Sequence, residues 1–404
     1  MSIFYLIFIV LAVYYSFRYD GLEEYDRKKQ HRLWMLCGYL VCLTGFSYGL
    51  GGDKFAYMRY FEDYPTSFSE ASDFIWLQFM IMGHMPLWVL LNLFAKVVFD
   101  SFYVVQIVES AAINIAVCFI VSKYTHRYFL FLLLYFFSLQ YFVFNTEVMR
   151  EGLALSFALV GMHGWLSGRR WLFFVAVPLV ALFHPSPLVF LLFPFMKMKM
   201  SWKSLGYGLL IAFFVWLISD LILGRIMLSV AGGLGTMVHK VLFYSIKASN
   251  IFGFTRSALT YIVLPFMVMY VVVQKEQDAD MRRKKEQMMA FALVLGVLVT
   301  SFTGFVRIYN ATRIFYLVML TDYIYILFRY REHFLIRLGV LACTVFFIVL
   351  LYMIPYKTTH TRYYDFFFPY TCILDEDKSV FIREVAHSEA LIEEEAEDNV
   401  RKIE

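Results

Sequence analysis

Long apolar runs separated by short polar breaks dominate the chain. A helix that crosses the hydrocarbon core of a bilayer needs about 20 apolar residues, with a range of about 17–25. Twelve stretches are candidates: Ile3–Phe17, Leu33–Leu50, Ser101–Val121, Tyr128–Phe144, Val148–Leu166, Trp171–Phe183, Leu188–Met196, Ser204–Leu223, Ser257–Val273, Met288–Arg307, Ala311–Phe328 and Phe334–Met353. The pair Trp171–Phe183 and Leu188–Met196 is short and broken by His184-Pro185-Ser186-Pro187, which fits two thin spans or a re-entrant hairpin. Between Gly51 and Asp100 the pattern weakens. Phe74–Met82 and Leu87–Phe99 are apolar, but Gly83-His84-Met85-Pro86 divides them and neither half reaches span length. This region reads as interfacial or re-entrant helices held at headgroup level by Trp76 and Trp88. The pattern predicts an all-α polytopic membrane protein, with one transmembrane domain over residues 1–370 and a tail over 371–404.

Composition agrees. The 404 residues are 61% hydrophobic and 17% charged, against about 45–50% and about 25% in soluble domains, and mean hydropathy is +0.64. The spans use up the length and leave no room for a large soluble domain. A net charge of +4 says nothing for nucleic acid. The five cysteines show no CxxC or Cys/His metal spacing, and no disulfide is inferred. The apolar N-terminus lacks a basic leader and a small-residue cleavage site, so it reads as a retained first span. Beyond Leu374 the chain is rich in Glu and Asp, as in a solvated or weakly helical tail.

Charge sets the expected orientation. Three basic loops, Arg18 to Arg32, Lys275–Lys285, and Arg329-Tyr330-Arg331 with Arg337, are assigned to the cytoplasm. If Gly51–Asp100 does not cross, the turns Lys123–Arg127, Arg169-Arg170 and Lys197–Lys203 fall on that side too. The N-terminus, Gly51–Asp100, the loop Gly224–Thr255 and, more loosely, the tail then face outward. Asp53, Glu147, Arg150, Glu151, His184, Arg225, Arg256, Arg307, Arg313 and Phe366–Tyr370 all reach the outer face.

Four groups there can carry chemistry. After Gly51-Gly52, Asp53 can cap a helix that also places Tyr57 and Tyr60 on its face, a way to hold a sugar by carboxylate and aromatic ring. An ordinary N-cap with interfacial tyrosines fits the same residues. Arg150 offers a planar fork of donors suited to phosphate at the start of a span, where free backbone N–H groups add to the pull on an anion. Glu151 is then a base or the ion partner of Arg150. His184 lies in a Pro-broken turn, poised near neutral pH; a turn histidine bonded to backbone is the plainer account. Arg307 and Arg313 border a tight turn, with Arg256 on the outer loop, and such outward cations fit an anionic ligand such as a diphosphate, or arginines that snorkel to the interface. There is no Walker loop, HExxH or GxSxG, and no carboxylate pair with divalent-metal spacing, so nothing demands a metal or another cofactor.

With these residues in this order the chain resembles the EpsG-like family of membrane glycosyltransferases, exopolysaccharide polymerases related in kind to the Wzy O-antigen polymerases. The matching features are Gly52-Asp53 followed by Tyr57, Arg150 with Ala154, the His184-Pro185-Ser186 turn, Arg307 to Arg313 with Tyr316, and Pro369-Tyr370. Glu151, where Gln is as readily expected, and the acidic tail depart from the pattern. The resemblance implies a GT-C-like bundle, a polyprenyl-diphosphate-linked oligosaccharide donor, a growing glycan acceptor, and polymer growth at the outer face of a bacterial inner membrane. It also implies flippase and chain-length regulator proteins as partners. On that reading Asp53, Arg150 and His184 are catalytic, and Tyr57, Tyr60, Glu151, Arg256, Arg307, Arg313 and Tyr370 bind substrate. A flippase of lipid-linked oligosaccharide, or a glycan ligase of the same fold, fits the same residues.

Overall fold

The computed structural model describes residues 3–22, 26–51, 53–218, 251–301, 306–330, 332–353 and 366–374. The expected loop Gly224–Thr255 up to residue 250, with Arg225, and the acidic tail beyond residue 374 lie outside the described residues, as does the side chain of Arg307. The described chain is helical throughout apart from one isolated bridge between Ser47 and Cys372. It forms two compact units, the first from Met1–Val160, Pro178–Pro185 and Phe346–Glu404, the second from Gly161–Val177 and Ser186–Val345.

The first unit is built on α1 (Ile3–Tyr19), α2 (Arg27–Gly45) and α6 (Phe102–Tyr124). α2 packs along α6 in the most extensive helix pairing of the unit. Polar side chains fasten the two. The Gln106 amide nitrogen donates to the Thr44, Gly45 and Ser47 carbonyls at 2.7, 2.9 and 2.8 Å, satisfying the end of α2. Three acceptors around one atom identify it as the NH2 group. The Thr44 and Ser110 hydroxyls meet at 2.7 Å, and Asn145 Oδ1 accepts from Thr44 at 3.0 Å and from Asn114 at 2.8 Å. A bilayer core supplies no water to backbone groups, so a helix end there must find protein donors.

At the other end of the same pair, Lys29 donates to the carbonyls of Leu22 and His126. Asp20 accepts from the Phe129 and Leu130 N–H groups at 3.2 and 2.8 Å, capping α7 (Tyr128–Phe137). Asp20, Leu22 and Lys29 thus meet residues 126–130, so the ends of the basic stretches Arg18 to Arg32 and Lys123–Arg127 share one end of the unit. α2 arrives at the far end and α6 leaves from it, so the chain between them begins and ends on the same side. That stretch holds α3 (Asp53–Glu62), α4 (Ala71–Leu77, continued as a π turn over Gln78–Met82) and α5 (Pro86–Phe99). Trp76 is 64% exposed, as a headgroup anchor should be, but Trp88 is 2% exposed and belongs to the core. The expectation that both tryptophans sit at headgroup level fails for Trp88, because α5 turns it inward against Phe61, Phe102 and Met149.

The apolar run from Tyr128 is not a straight span. α7 ends at Ser138, Leu139 takes φ 56, and α8 (Gln140–Phe142) with the π turn Val143–Glu147 departs at 77°. Asn145 and Thr146 bond back to the Tyr141 and Phe142 carbonyls, at 2.6 and 2.8 Å, which holds the bend. α9 (Met149–Leu166) and α10 (Arg170–Ala181) follow.

In the second unit a 3-10 helix over Ser186–Phe195 replaces the expected short span. Pro187 and Pro194 remove two backbone donors, and Gln287 satisfies the Phe193 carbonyl at 2.8 Å. Ten residues at about 2.0 Å each reach about 20 Å, short of the roughly 30 Å hydrocarbon core. α11 (Trp202–Ile218), α12 (Ile251–Ala258), α13 (Leu264–Lys275) and α15 (Val306–Arg329) surround α14 (Ala279–Ser301), and α16 (Phe334–Met353) closes the described helices. By length and apolarity alone, α6 and the continuous rod Ile251–Lys275 can cross a membrane, and the bent pair starting at Tyr128 adds a third candidate. Several shorter apolar helices accompany them, so the chain reads as a multi-pass membrane protein.

Replacing Gln106 with Leu strands the Gly45 carbonyl and takes one donor each from the Thr44 and Ser47 carbonyls, which keep Ser47 and Lys54 as donors. Each buried unsatisfied group costs about 1–3 kcal/mol. The variant is expected to melt several degrees lower in detergent by fluorescence or circular dichroism with its starting helix content intact; an unchanged melting curve would show that the clamp is dispensable.

Candidate functional site

The non-basic end of the first unit gathers three pieces of chain: residues 46–54, the π turn running into α9, and residues 366–373. The third lies antiparallel to the first, with Tyr48 N–H bonded to Thr371 O at 3.0 Å, Ile373 N–H to Phe46 O at 3.0 Å, and Gly51 N–H to Phe366 O at 2.9 Å. Gly51 has φ +80, and a Cβ there would stand 2.5 Å from Thr146 Oγ1 and 2.9 Å from Glu147 Oε1. Only glycine lets the loop lie this close to the π turn. Gly152 meets the same demand in α9, where a Cβ would come within 2.5 Å of the Phe144 carbonyl and 2.9 Å of Glu109 Oε1.

These close approaches bring the predicted residues together. Asp53 opens α3, its N–H facing Glu147 Oε2 at 3.4 Å. Arg150 sits in the first turn of α9 with its guanidinium 5.6 Å from the centre of the Tyr57 ring. Tyr57 meets Trp88 edge to face at 5.5 Å, and Tyr60, 42% exposed, meets His84 at 5.9 Å. Tyr57 and Tyr60 thus share the side of α3 that faces α5, as their spacing predicts. Tyr57 is a wall for Arg150 and Trp88 rather than an open platform. His184 follows α10 at the same end. Its N–H bonds to Val180 O at 3.0 Å, its neighbour Phe183 stacks on Phe157 at 5.6 Å, and Leu182 O receives the Leu87 N–H at the head of α5.

Arg150 and Glu151 part company. Among the described residues Arg150 makes no ion pair, and its Nε is buried without a hydrogen-bond partner. Glu151 is 4% exposed and leaves α9 about 100° further round, since adjacent helix positions do not face one another. The expectation that Glu151 is the ion partner of Arg150 is not met. Arg150 is left as a cation held by an aromatic face and the start of a helix.

The remaining predicted residues lie elsewhere. Tyr370 packs on Phe4 and Tyr5 of α1, at 5.4 and 5.3 Å. Arg256, Arg307 and Arg313 belong to the second unit, Arg256 in the last turn of α12 and the other two toward the start of α15. The tight turn expected at Arg307 to Arg313 is instead regular helix, because α15 already begins at Val306. There Tyr309 meets Tyr261 edge to face at 5.1 Å, within electrostatic reach of Arg313.

Neither Lys54 nor Glu109 is among the site residues that the sequence predicts. Lys54 is fully buried and donates to Ser47 O at 3.2 Å and Ser47 Oγ at 2.7 Å. Glu109, fully buried in α6, presses against Gly152, and its oxygens accept no hydrogen bond from a described residue. Lys54 is the charged group that acts on it. A Lys directly after the helix-capping Asp and a Glu one turn from Gln106 were the available signals.

Burial pulls the Lys54 ammonium down to about 7, opposed by the Glu109 carboxylate. A lysine lowered in the folded state stabilises the fold above its unfolded value, about 10.4. That contribution is lost as pH falls through about 7. Between about pH 10 and about pH 7 the wild type should lose melting temperature relative to Lys54→Met. A difference between the two that does not change with pH would refute this.

The sequence profile described as the EpsG family matches residues 33–372. No curated protein and no solved structure matches the chain significantly.

Proposed function

The chain belongs to the EpsG family, and from that premise we propose that it is a glycosyltransferase that polymerises lipid-linked oligosaccharide repeat units. The observation that carries the proposal is the Arg150 guanidinium at the head of α9, which makes no ion pair among the described residues and lies over the ring of Tyr57. A half-buried cation without a carboxylate partner among the described residues is costly in a membrane protein, and that cost is recovered when an anion binds. The forked guanidinium, placed in the first turn of a helix, suits a diphosphate.

The donor on this reading is a polyprenyl-diphosphate-linked oligosaccharide, and the acceptor is the growing glycan. A hydroxyl oxygen of the acceptor attacks the anomeric carbon of the donor sugar. The bond from that carbon to the diphosphate oxygen breaks, and the diphosphate leaves with the electron pair. The hydroxyl proton passes to Asp53 or His184. Arg150 stabilises the charge that builds on the leaving oxygens. Tyr60, exposed beside His84, offers a ring for a sugar face. With the basic loops in the cytoplasm, this end of the first unit opens on the outer side of a bacterial inner membrane, in a helical membrane fold of the GT-C-like kind.

A flippase would need charges along a transmembrane route. Lys96 pairs with Asp100 at 2.7 Å, and Asp322 pairs with Lys285 at 2.9 Å. Asp220 lies outside the described residues. Only Glu109 is left among the mid-span candidates, and it abuts the candidate site, which favours chemistry at one end.

Arg150→Ala should cut polymer formation from purified lipid-linked repeat units by about 100-fold or more, the scale of losing a charge-stabilising donor, while inserting and melting normally. Arg150→Lys keeps the charge without the fork and should fall between. Normal chain length from Arg150→Ala would sink the assignment. Wild-type protein that moves the lipid-linked substrate across a vesicle yet forms no polymer would make it a flippase.

A further inference from the structure

The basic end of the second unit contains a cavity of about 370 Å³ that the polymerase reading does not use. That is the size of a small-molecule site, about 300–1,000 Å³. Arg170, Lys197, Lys199, Arg283 and Lys284 line it, and Trp165 forms part of its wall; Glu286 is the one carboxylate in the lining. From these residues we infer a binding pocket for closely spaced phosphate groups, of the kind carried by an anionic lipid head group.

Three observations support the chemistry. The cations are pre-positioned: the Arg170 guanidinium lies 5.3 Å and the Lys197 ammonium 5.8 Å from the Trp165 ring centre. Lys197 and Lys199 alternate along the non-helical stretch Met196–Met200, so both reach one side of an extended chain. Their charges are also unspent. Arg283 and Lys284 are held by Asp280 at 3.1 and 2.5 Å, and Glu286 faces Arg282 at 3.8 Å. Arg170, Lys197 and Lys199 have no acidic partner among the described residues.

The surroundings point to lipid as the source. Trp171 and Trp202, at the starts of α10 and α11, are exposed at the same end of the unit. Exposed tryptophans mark the headgroup level of a bilayer. Basic pockets between helices on the cytoplasmic side suit acidic head groups, each Lys or Arg contributing about five-fold in affinity. A head group with two phosphates, as in cardiolipin, matches a pocket with cations on several sides.

The test uses the full-length protein in nanodiscs and native mass spectrometry in mild detergent. Cardiolipin, titrated against a phosphatidylcholine background, should bind saturably, and rising salt should weaken it. Lys197→Gln with Lys199→Gln should weaken binding by about 25-fold, at roughly five-fold per charge. Arg329→Gln, which removes a basic residue outside the pocket, should change little. Inorganic diphosphate supplied to lipid-free micelles separates the sources. Failure to compete supports a lipid head group, and saturable competition lost in the double variant supports the same pocket filled from solution. Should the double variant misfold by circular dichroism, Arg170→Gln and the salt titration carry the same comparison. Cardiolipin binding that is unchanged in the pocket variants, or lost equally in Arg329→Gln, overturns the inference. So does the absence of binding by either probe. Arg150→Ala should bind the lipid normally, so the pocket and the polymerase reading can fail separately.

Discussion

The first unit depends on how it finishes a helix inside a membrane. α2 stops at Gly45, and its last carbonyls have no water to turn to. The Gln106 amide takes Thr44, Gly45 and Ser47 together. Asn145 ties the bend after α7 to α2 through Thr44 and to α6 through Asn114. That bond sets where the π turn lies, and the π turn delivers Glu147 to the N-terminus of α3 and Arg150 to the ring of Tyr57. The candidate site is a consequence of satisfying backbone groups where solvent cannot.

The glycines belong to the same constraint. Gly51 and Gly152 face the same short stretch from opposite sides, one against Thr146 and the other against Phe144. A side chain at either position would push the π turn away from α3 or from α9. The close approach also brings the buried carboxyl of Glu109 against Gly152 in the first turn of α9.

Much of this was legible in the sequence. Span-length apolar runs predicted the helices, and the basic stretches Arg18 to Arg32 and Lys123–Arg127 do meet at one end, through Lys29 with His126 and Asp20 with Phe129. The glycine break followed by Asp53, Tyr57 and Tyr60 predicted α3 and its aromatic side. What escaped depends on contacts far apart in the chain. The 77° bend at Leu139 lies inside a run that hydropathy reads as one span, and only the polar residues Gln140 and Asn145 betray it. Trp88 looked like an interfacial anchor because composition does not say which way a helix turns. The Arg150-Glu151 pair looked like an ion pair because neighbours in sequence are not neighbours on a helix surface. The start of α15 at Val306 was missed because Arg307, Asn310 and Arg313 resemble a polar turn, although arginine and tyrosine are compatible with helix.

Charge is used differently in different places. At the basic end of the second unit, Lys285 sits between Glu276 and Asp322, at 2.8 and 2.9 Å, and Lys275 reaches Glu332 at 3.5 Å. Those cations are neutralised within the protein and brace the ends of α13, α14 and α15. Arg150 in the first unit, and Arg170, Lys197 and Lys199 in the second, break that habit by leaning on aromatic rings or standing alone. An aromatic face holds a cation in place for about 0.5–2 kcal/mol without cancelling its charge. A carboxylate partner would have fixed it more firmly and removed its pull on an anion. Cations positioned by rings rather than by acids are the arrangement expected where the counter-charge is to come from outside the chain.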